Sequence, residues 1–190
     1  MQDHILTDRF DLALLFTSRI HRKQSRKGTN VPYISHLLSV CALVLEHGGN
    51  EDQAIAALLH DAPEDQGGQG ILDRIQHTFG SKIAALVAAC GEPVELNGAS
   101  WRERKTAFIS ALEYVPMDAQ LVIAADKAHN LACLVDDYLQ LGVSVFDRFN
   151  GGKIGTMWYY DSLVELISPK IPVPLALRLK EPLKILKSAG

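Results

Sequence analysis

The most informative segment of the chain reads Ala57-Leu58-Leu59-His60-Asp61-Ala62-Pro63-Glu64-Asp65. The residues before it, from Glu51 onward, are rich in alanine and apolar on most sides, which predicts a helix in the middle of the protein. Two adjacent ionisable side chains at the end of such a helix are costly unless a partner compensates for their burial. Mn²⁺, Fe²⁺ or Zn²⁺ would be a suitable partner for His60 and Asp61, because imidazole nitrogen and carboxylate oxygen both bind these ions. A surface helix end capped by His60 is the alternative for a His-Asp pair considered alone.

Two further ionisable residues lie in apolar helical patterns without a partner nearby in the sequence. His36 belongs to a predicted helix with an apolar face, and Asp126 follows the apolar run Leu121-Val122-Ile123-Ala124-Ala125. Taken singly, His36 fits a core histidine, and Asp126 fits an ion pair with Lys127 or Arg104. Taken together with His60 and Asp61, one shared metal ion satisfies all four side chains, so we predict that these four residues bind it.

Glu64 and Asp65 follow His60 and Asp61 by four residues, which is about one helical turn. A carboxylate pair just outside a metal centre can position and deprotonate a water molecule bound to the metal, so both are candidate catalytic residues. Pro63 qualifies this arrangement, because proline removes a backbone donor and can end a helix. A solvated acidic turn leading into Gly67 and Gly68 is the alternative.

Basic residues before the His36 helix are candidates for binding a phosphorylated ligand. Arg26 and Lys27 lie in a loop with Gly28 and with Thr29, which is a further substrate-binding candidate, and the two cations can form charge-assisted hydrogen bonds to phosphate. A solvated basic loop is the alternative. A second cluster, which includes Lys105, is also explained by an exposed helical face.

Helical periodicity dominates the rest of the chain, and strand-type alternation is nearly absent, so the predicted fold class is all-α, a single-domain helical bundle. We expect the domain to span residues 1–168. The prolines of residues 169–190 predict a tail that is extended, with at most one short terminal helix, and that packs on the domain. Residues 146–155 are expected to form a loop before a last core helix from Met157 to Ile167.

Composition narrows the possible partners. The 190 residues are 47% hydrophobic and 22% charged, with a net charge of −3, and no long basic run is present. We therefore expect no binding to a nucleic acid polymer and none to a membrane. The cysteines at 41, 90 and 133 lie in apolar helical patterns and predict free thiols in the cytoplasm. The chain is expected to be a monomer or a homodimer.

Four segments together resemble the HD phosphohydrolase superfamily and, within it, the hydrolase domain of RelA/SpoT-type alarmone enzymes. They occur in the order and at the spacing typical of that family: Arg26-Lys27-Gly28; Pro32-Tyr33-Ile34-Ser35-His36; Ala57-Leu58-Leu59-His60-Asp61 with Glu64-Asp65; and Ala125-Asp126-Lys127-Ala128-His129-Asn130-Leu131. The length of the chain is similar to that of the small, hydrolase-only members.

The resemblance implies an HD-type helical bundle in which the four predicted ligands hold one Mn²⁺ and the acidic pair activates the attacking water. It implies that Arg26 and Lys27 contact the substrate, that Asn130 lies near the nucleotide sugar, and that Lys105 contacts a phosphate. The implied reaction removes the 3′-pyrophosphate of ppGpp or pppGpp and gives GDP or GTP. The chain departs from the family at Pro63 and at Lys127-Ala128, and the second departure leaves the choice between guanine and adenine alarmones open.

Three other functions remain as alternatives on the sequence: an HD nucleotidase acting on ppApp, NADPH or a dNTP; a nucleotide-binding regulatory module; and a helical scaffold. Residues after the matched region are further candidates for binding the nucleotide. The aromatic residues Phe146, Phe149, Trp158, Tyr159 and Tyr160 can line the nucleotide pocket by stacking, and the alternative is that Trp158 and one tyrosine complete the core. Lys153 is a candidate for reaching the 5′-phosphates.

Overall fold

The computed structural model describes residues 6–92 and 98–188, and the secondary structure in these ranges is helical apart from one isolated bridge between Ser25 and Pro32. The α-helices of the described ranges are α1 (Asp8–Ile20), α2 (Ile34–Glu46), α3 (Glu51–Leu59), α4 (Ala62–Gln66), α5 (Gly68–Phe79), α6 (Ser81–Cys90), α7 (Trp101–Ala111), α8 (Met117–Leu141), α9 (Gly152–Ile167) and α10 (Val173–Ser188). Two short 3₁₀ segments cover Gly142–Arg148 and Ser168–Lys170. The predicted all-α fold is confirmed.

Helix α3 lies at the centre of the bundle, as its composition predicts. Every residue from Gln53 to Leu59 is buried, and the helix packs against α1, α2, α6 and α8. Asn50 and Gln53 form a capping box at its start, which satisfies backbone donors that the helix itself leaves free. The Gln53 side chain also donates to the Asp118 carbonyl at 3.0 Å, which ties the start of α3 to the start of α8.

Helices α2 and α8 pack against each other and against α3, so the three helices place His36, His60 and Asp126 around one point. Helix α8 has 25 residues, and all residues from Ala119 to Asp126 are buried. The end of α3 is followed directly by α4, whose first turn contains Pro63, a position that proline tolerates because no intrahelical donor is needed there.

The C-terminal segment differs from the expectation of an extended tail with a short helix. Residues 173–188 form α10, a 16-residue helix that packs on α8 and α9. Its buried leucines, Leu175, Leu179, Leu183 and Leu186, recur at helical spacing, and their burial outweighs the cost of Pro182 within the helix. The division of the chain at residue 168 stays a prediction, and residues 189–190 lie outside the described ranges.

Helix α9 begins at Gly152, earlier than the predicted Met157, and a 3₁₀ segment occupies the start of the predicted loop. The expected loop is therefore reduced to a short connection around Asn150. Nowhere in the described ranges does a helix reach the length and apolarity needed to span a bilayer.

Candidate metal centre and adjoining cavity

The two predicted histidine ligands are buried and oriented by contacts on their Nδ1 atoms. His36 lies on α2 with its Nδ1 2.8 Å from Nδ1 of His129, and His60 caps α3 with its Nδ1 2.8 Å from the Ala57 carbonyl oxygen. Because a carbonyl only accepts, His60 donates from Nδ1, and its Nε2 carries the lone pair when the ring is neutral. Both Nε2 atoms point toward the same space between α2, α3 and α8.

The carboxylates of Asp61 and Asp126 close this space. One oxygen of Asp61, Oδ2, lies 3.1 Å from His60 Nε2 and 3.4 Å from His36 Nε2. One oxygen of Asp126, Oδ1, lies 3.2 Å from His36 Nε2 and 3.7 Å from His60 Nε2. The four residues predicted to share a metal ion are therefore brought together.

These side chains fit a divalent cation. His36, His60 and Asp126 each offer a donor atom within 4.8 Å of the others, and all three are buried. The Nε2 atom of His60 is fully enclosed and, although Asp61 Oδ2 lies 3.1 Å away, it forms no aligned hydrogen bond with the described residues, which is costly without a ligand. Adjacent donors on one ion with bonds of about 2.0–2.2 Å stand roughly 3 Å apart, close to the separations seen here.

The ionisation of the cluster follows from its mixture of charges. Burial opposes a positive charge on His60, but Asp61 and Asp126 outweigh burial and raise the pKa of its imidazole well above the ordinary value. Burial likewise opposes ionisation of Asp61, but His60 and His36 outweigh it and lower the pKa of this carboxyl. Without a cation, a proton on His60 balances the carboxylates. A metal ion would replace that proton, so binding would release it.

Asp126 divides its two oxygens between different partners. Its Oδ2 accepts from Lys127 Nζ at 2.6 Å, while its Oδ1 accepts from Asn130 Nδ2 at 2.5 Å and faces the histidines. The sequence offered an ion pair with Lys127 and a cluster with the other three predicted ligands as alternatives for Asp126, and both are present. Arg104, the other partner considered for Asp126, pairs instead with Glu92 at 2.8 Å.

Tyr33 fixes the Asp61 carboxylate. Its hydroxyl donates to Asp61 Oδ2 at 2.6 Å, and its ring stacks on His21 with ring centroids 5.5 Å apart. Burial and then the charge of Asp61 raise the pKa of the Tyr33 phenol far above its usual range, so the phenol stays a donor.

A cavity of about 620 Å³ adjoins the cluster on the side of the loop 24–33. Six of the eight residues predicted to act on the substrate line this cavity: Arg26, Lys27, Thr29, Asp65, Lys105 and Asn130. Arg26 Nη2 donates to Asn130 Oδ1 at 2.8 Å, which links the basic loop to α8 and, through Asn130, to Asp126. Glu64 and Lys153 are not among the lining residues.

Glu64 and Asp65 point in different directions although they are adjacent. Glu64 Oε1 accepts from the Glu92 backbone amide at 3.1 Å and lies against Gly91, at the end of α6. Asp65 Oδ2 accepts from Gln24 Nε2 at 2.8 Å at the cavity wall. In this arrangement Asp65 is the carboxylate of the pair that faces the cavity.

The aromatic residues after residue 145 divide between the two predicted roles. Phe149, Tyr159 and Tyr160 line the cavity, and the two tyrosines also belong to the buried core, as does Phe146. Trp158 packs under the Arg102 guanidinium, 3.2 Å from its ring centroid, and is not a lining residue.

Three residues of the site were not assigned a role in it from the sequence. His129 lies three residues after Asp126 and so on the same face of α8, a signal that was available. The sequence offered Lys127 only as an alternative ion-pair partner of Asp126 and gave Tyr33 no role, and the packing of the loop 24–33 and of α7 places both residues at the cavity. Lys127 Nζ lies 5.6 Å from the Phe108 ring centroid on α7.

The described residues form a helical bundle in which a buried His–Asp centre lies beside a cavity with five cationic side chains in its lining. These features define a class of helical proteins whose site suits a metal ion held by nitrogen and oxygen ligands. The chain belongs to the HD-domain family, whose sequence profile matches residues 13–156. All four candidate ligands lie within the matched residues.

Relatives and a solved structure extend this comparison. The chain is 30% identical over 125 residues, 64% of its length, to a Synechocystis protein named as a probable guanosine-3′,5′-bis(diphosphate) 3′-pyrophosphohydrolase, and 40% identical over 72 residues, 38% of its length, to the Aquifex aeolicus protein named as that enzyme. It spans only 16% and 10% of the lengths of these two relatives. Its fold matches a metazoan orthologue of SpoT, described as hydrolysing ppGpp, with a TM-score of 0.78 and 22% identity over 95% of this chain and 97% of that one.

Proposed function

We propose that this chain is a metal-dependent hydrolase that removes the 3′-pyrophosphate from alarmones of the (p)ppGpp type. The products are GDP or GTP, or the adenine equivalents, and pyrophosphate. The observation that carries the proposal is the His–Asp centre with a cavity beside it, in which cationic side chains outnumber carboxylates among the charged lining residues. The names of the Synechocystis and Aquifex relatives support the choice of substrate.

The charge of the cavity suits a nucleotide that bears two phosphorylated positions. The cationic side chains that line it are Arg26, Lys27, Lys105, Lys127 and Arg148, and the carboxylates that line it are Asp65 and Asp137. Three of these cations already have carboxylate partners: Lys105 with Glu92, Lys127 with Asp126, and Arg148 with Asp137. Phosphate oxygens can exchange with such carboxylates because both accept charge-assisted hydrogen bonds.

Hydrolysis adds water across the bond between the ribose 3′ oxygen and its phosphorus. A base must take a proton from the water, and the 3′ oxygen must receive one. His36, His60, Asp61 and Asp126 would hold a divalent cation, which supplies Lewis-acid chemistry to the water and the phosphoryl oxygens. Asp65 faces the cavity as the general base. Arg26 and Lys27 orient the phosphates, and Phe149 offers a ring on which the nucleobase can stack.

We propose Mn²⁺ as the resident metal, because the site mixes imidazole and carboxylate donors and the family resemblance implies it. A cytoplasmic location and a monomer or homodimer stay part of the proposal. The buried Cys41 and Cys90 thiols, neither in a disulfide, support a reducing compartment.

Incubation of the purified protein and Mn²⁺ with ppGpp, ppApp, NADPH and dNTPs tests the proposal through the identity of the products. We expect pyrophosphate from at least one alarmone and none after chelation of the metal. Release of inorganic phosphate from NADPH, or of triphosphate from a dNTP, with no pyrophosphate from any alarmone, would assign the site to another HD nucleotidase. Tight alarmone binding without turnover at saturating metal would favour a regulatory module.

A further inference from the structure

The geometry points to Gln24 as a positioning residue that holds the Asp65 carboxylate at the wall of the cavity. Gln24 lies in the loop after α1, far from Asp65 in sequence, and its Nε2 donates to Asp65 Oδ2 at 2.8 Å. The inference rests on the proposed function, in which Asp65 takes a proton from water. Gln24 itself lines the cavity, and the role assigned to it is to hold Asp65 and not to bind the substrate.

The hydrogen bonds around Gln24 allow only one orientation of its amide. A carboxylate can only accept, so the NH₂ group of Gln24 faces Asp65. The Gln24 oxygen then accepts from Gln66 Nε2 at 2.5 Å and from His21 Nδ1 at 2.7 Å. A reversed amide would place its oxygen against the carboxylate and its NH₂ group against the Gln66 NH₂ group, which would lose these bonds.

The residues that orient Gln24 are themselves fixed. His21 is 2% exposed, and its ring stacks on Tyr33 at an interplanar angle of 18°. The Gln24 backbone is held on both sides, because its amide donates to the His21 carbonyl at 3.0 Å and its carbonyl accepts from the Tyr33 amide at 2.9 Å. The amide of Gln24 therefore sits on a rigid support rather than on a free loop.

This network connects the loop 24–33 to two acidic residues of the His60–Asp65 segment, Asp61 beside the histidines and Asp65 at the cavity wall. Tyr33 binds Asp61 through its hydroxyl, and Gln24 binds Asp65 through its amide. Helix α4 has only five residues, so it has little intrinsic stability to hold Asp65 in place. The contact from Gln24, reinforced by Gln66 on α4 itself, supplies the restraint that the short helix lacks.

Kinetics of Gln24→Glu test the inference, because Glu has the same shape and keeps an acceptor for His21 and Gln66 but replaces the donor to Asp65 with a like charge. We expect kcat for pyrophosphate release to fall by roughly tenfold to hundredfold, as for a misplaced catalytic group, with KM and bound metal unchanged. Gln69→Glu is the matched control, because Gln69 Nε2 also donates to a carboxylate, Asp73 Oδ1, at 2.8 Å on an exposed face of α5. An unchanged kcat, or an equal loss in Gln69→Glu, would overturn the inference. If Gln24→Glu does not fold, Gln24→Met replaces it with the same expectation.

Side-chain amide resonances of the metal-free protein give a readout that does not depend on turnover. We expect Asp65→Asn to shift the NH₂ signals of Gln24 and leave those of Gln69 in place, and Asp73→Asn to do the reverse. Gln24 signals that do not respond to Asp65→Asn would refute the contact. If the wild-type protein releases no pyrophosphate from any alarmone, the proposed function fails, and the amide shifts still decide whether Gln24 holds Asp65.

Discussion

His36 and His129 face each other through their Nδ1 atoms at 2.8 Å, and this contact directs the opposite nitrogen of His36 toward Asp61 and Asp126. Burial, followed by the nearby His36 and Arg26, lowers the pKa of His129 to about 4, so this ring is neutral at pH 7. A neutral His129 can accept the Nδ1 proton of His36, which leaves the His36 Nε2 lone pair for a metal ion.

Replacing His129 should weaken metal binding without removing a ligand. We expect His129→Ala to reduce Mn²⁺ affinity by about 10–100-fold, the usual effect of losing a group that orients a ligand. Titration calorimetry of the metal-free protein measures this. His47→Ala is the control, because His47 Nδ1 bonds the Leu43 carbonyl of its own helix end and has no contact with the four candidate ligands in the part of the chain that the structure describes. Equal affinities for wild type and His129→Ala would show that the contact does not orient His36.

Asp61 and Asp65 should separate metal binding from catalysis. Asp61→Ala removes a charge that contacts both histidines, so we expect loss of both metal and activity. Asp65→Ala removes the carboxylate that faces the cavity as the proposed base, so we expect it to retain metal and be nearly inactive. Metal content by mass spectrometry, alongside pyrophosphate release, distinguishes the two. Equal metal loss in both variants would mean that Asp65 has a ligand role.

Arg26 should act in substrate binding. Its guanidinium donates to Asn130 at the cavity, so we expect Arg26→Ala to raise KM more than it lowers kcat, as for a contact made equally in the ground and transition states. Steady-state kinetics with ppGpp measures both constants. Arg22→Ala is the matched control, because Arg22 is an exposed basic residue of the same region that does not line the cavity. A fall in kcat with constant KM would instead place Arg26 at the developing charge.

Glu92 should stabilise the protein at neutral pH and not in acid. Burial raises its pKa, but Lys105 and Arg104 outweigh burial and leave the pKa of Glu92 below its ordinary value. Because the pKa of Glu92 is lower in the folded state, its ionised carboxylate stabilises the folded protein at pH values above the unfolded-state pKa of about 4.3. That contribution disappears as the pH falls through the folded-state pKa. We expect Glu92→Gln to lower Tm by about 2–4 °C at pH 7, corresponding to about 1 kcal/mol, and to have little effect near pH 3. A deficit in Tm that is the same at both pH values would contradict the ion-pair account.

Gly155 should be needed for the packing of Trp101 at the cavity wall. A Cβ at residue 155 would lie 2.9 Å from Trp101 Cζ3, closer than packed carbon atoms approach. We expect Gly155→Ala to destabilise by about 1–3 kcal/mol through overpacking and to shift tryptophan emission. Gly70→Ala is the control, because a Cβ there meets no atom within 4 Å and Gly70 is within helix α5. Its Tm should stay unchanged or rise.

The ligand candidates could be found from the sequence because their cost is visible there. His60 and Asp126 each end an apolar run with an ionisable group, and no residue nearby in sequence could pair with all of them. The burial of α3 and α8 brings these groups together. The sequence pattern therefore indicated both the cost of burying the ionisable groups and the shared metal ion that would offset it. The sequence indicated a role for His129 less strongly, because a histidine within the apolar helix α8 can also be a core residue that binds no ligand.

The roles of the other residues depend on the direction in which each side chain leaves its helix or loop, and a sequence pattern does not determine that direction. One-turn spacing suggested that Glu64 shares the face of His60, but the chain turns at Asp61 and α4 starts anew, which directs Glu64 to the end of α6. Lys153 lies in the first turn of α9, a helix that begins earlier than expected, and is not among the residues that line the cavity. The Gln24 contact to Asp65 joins residues 41 positions apart, which no local pattern predicts.

Crystals grown with Mn²⁺ and measured at the manganese absorption edge would locate the ion itself. We expect one anomalous peak bounded by Nε2 of His36, Nε2 of His60 and one oxygen each of Asp61 and Asp126, at bond lengths of about 2.2 Å. A fully folded protein with no peak there at saturating Mn²⁺, or with its peak elsewhere, would contradict the metal centre and the hydrolysis proposed from it.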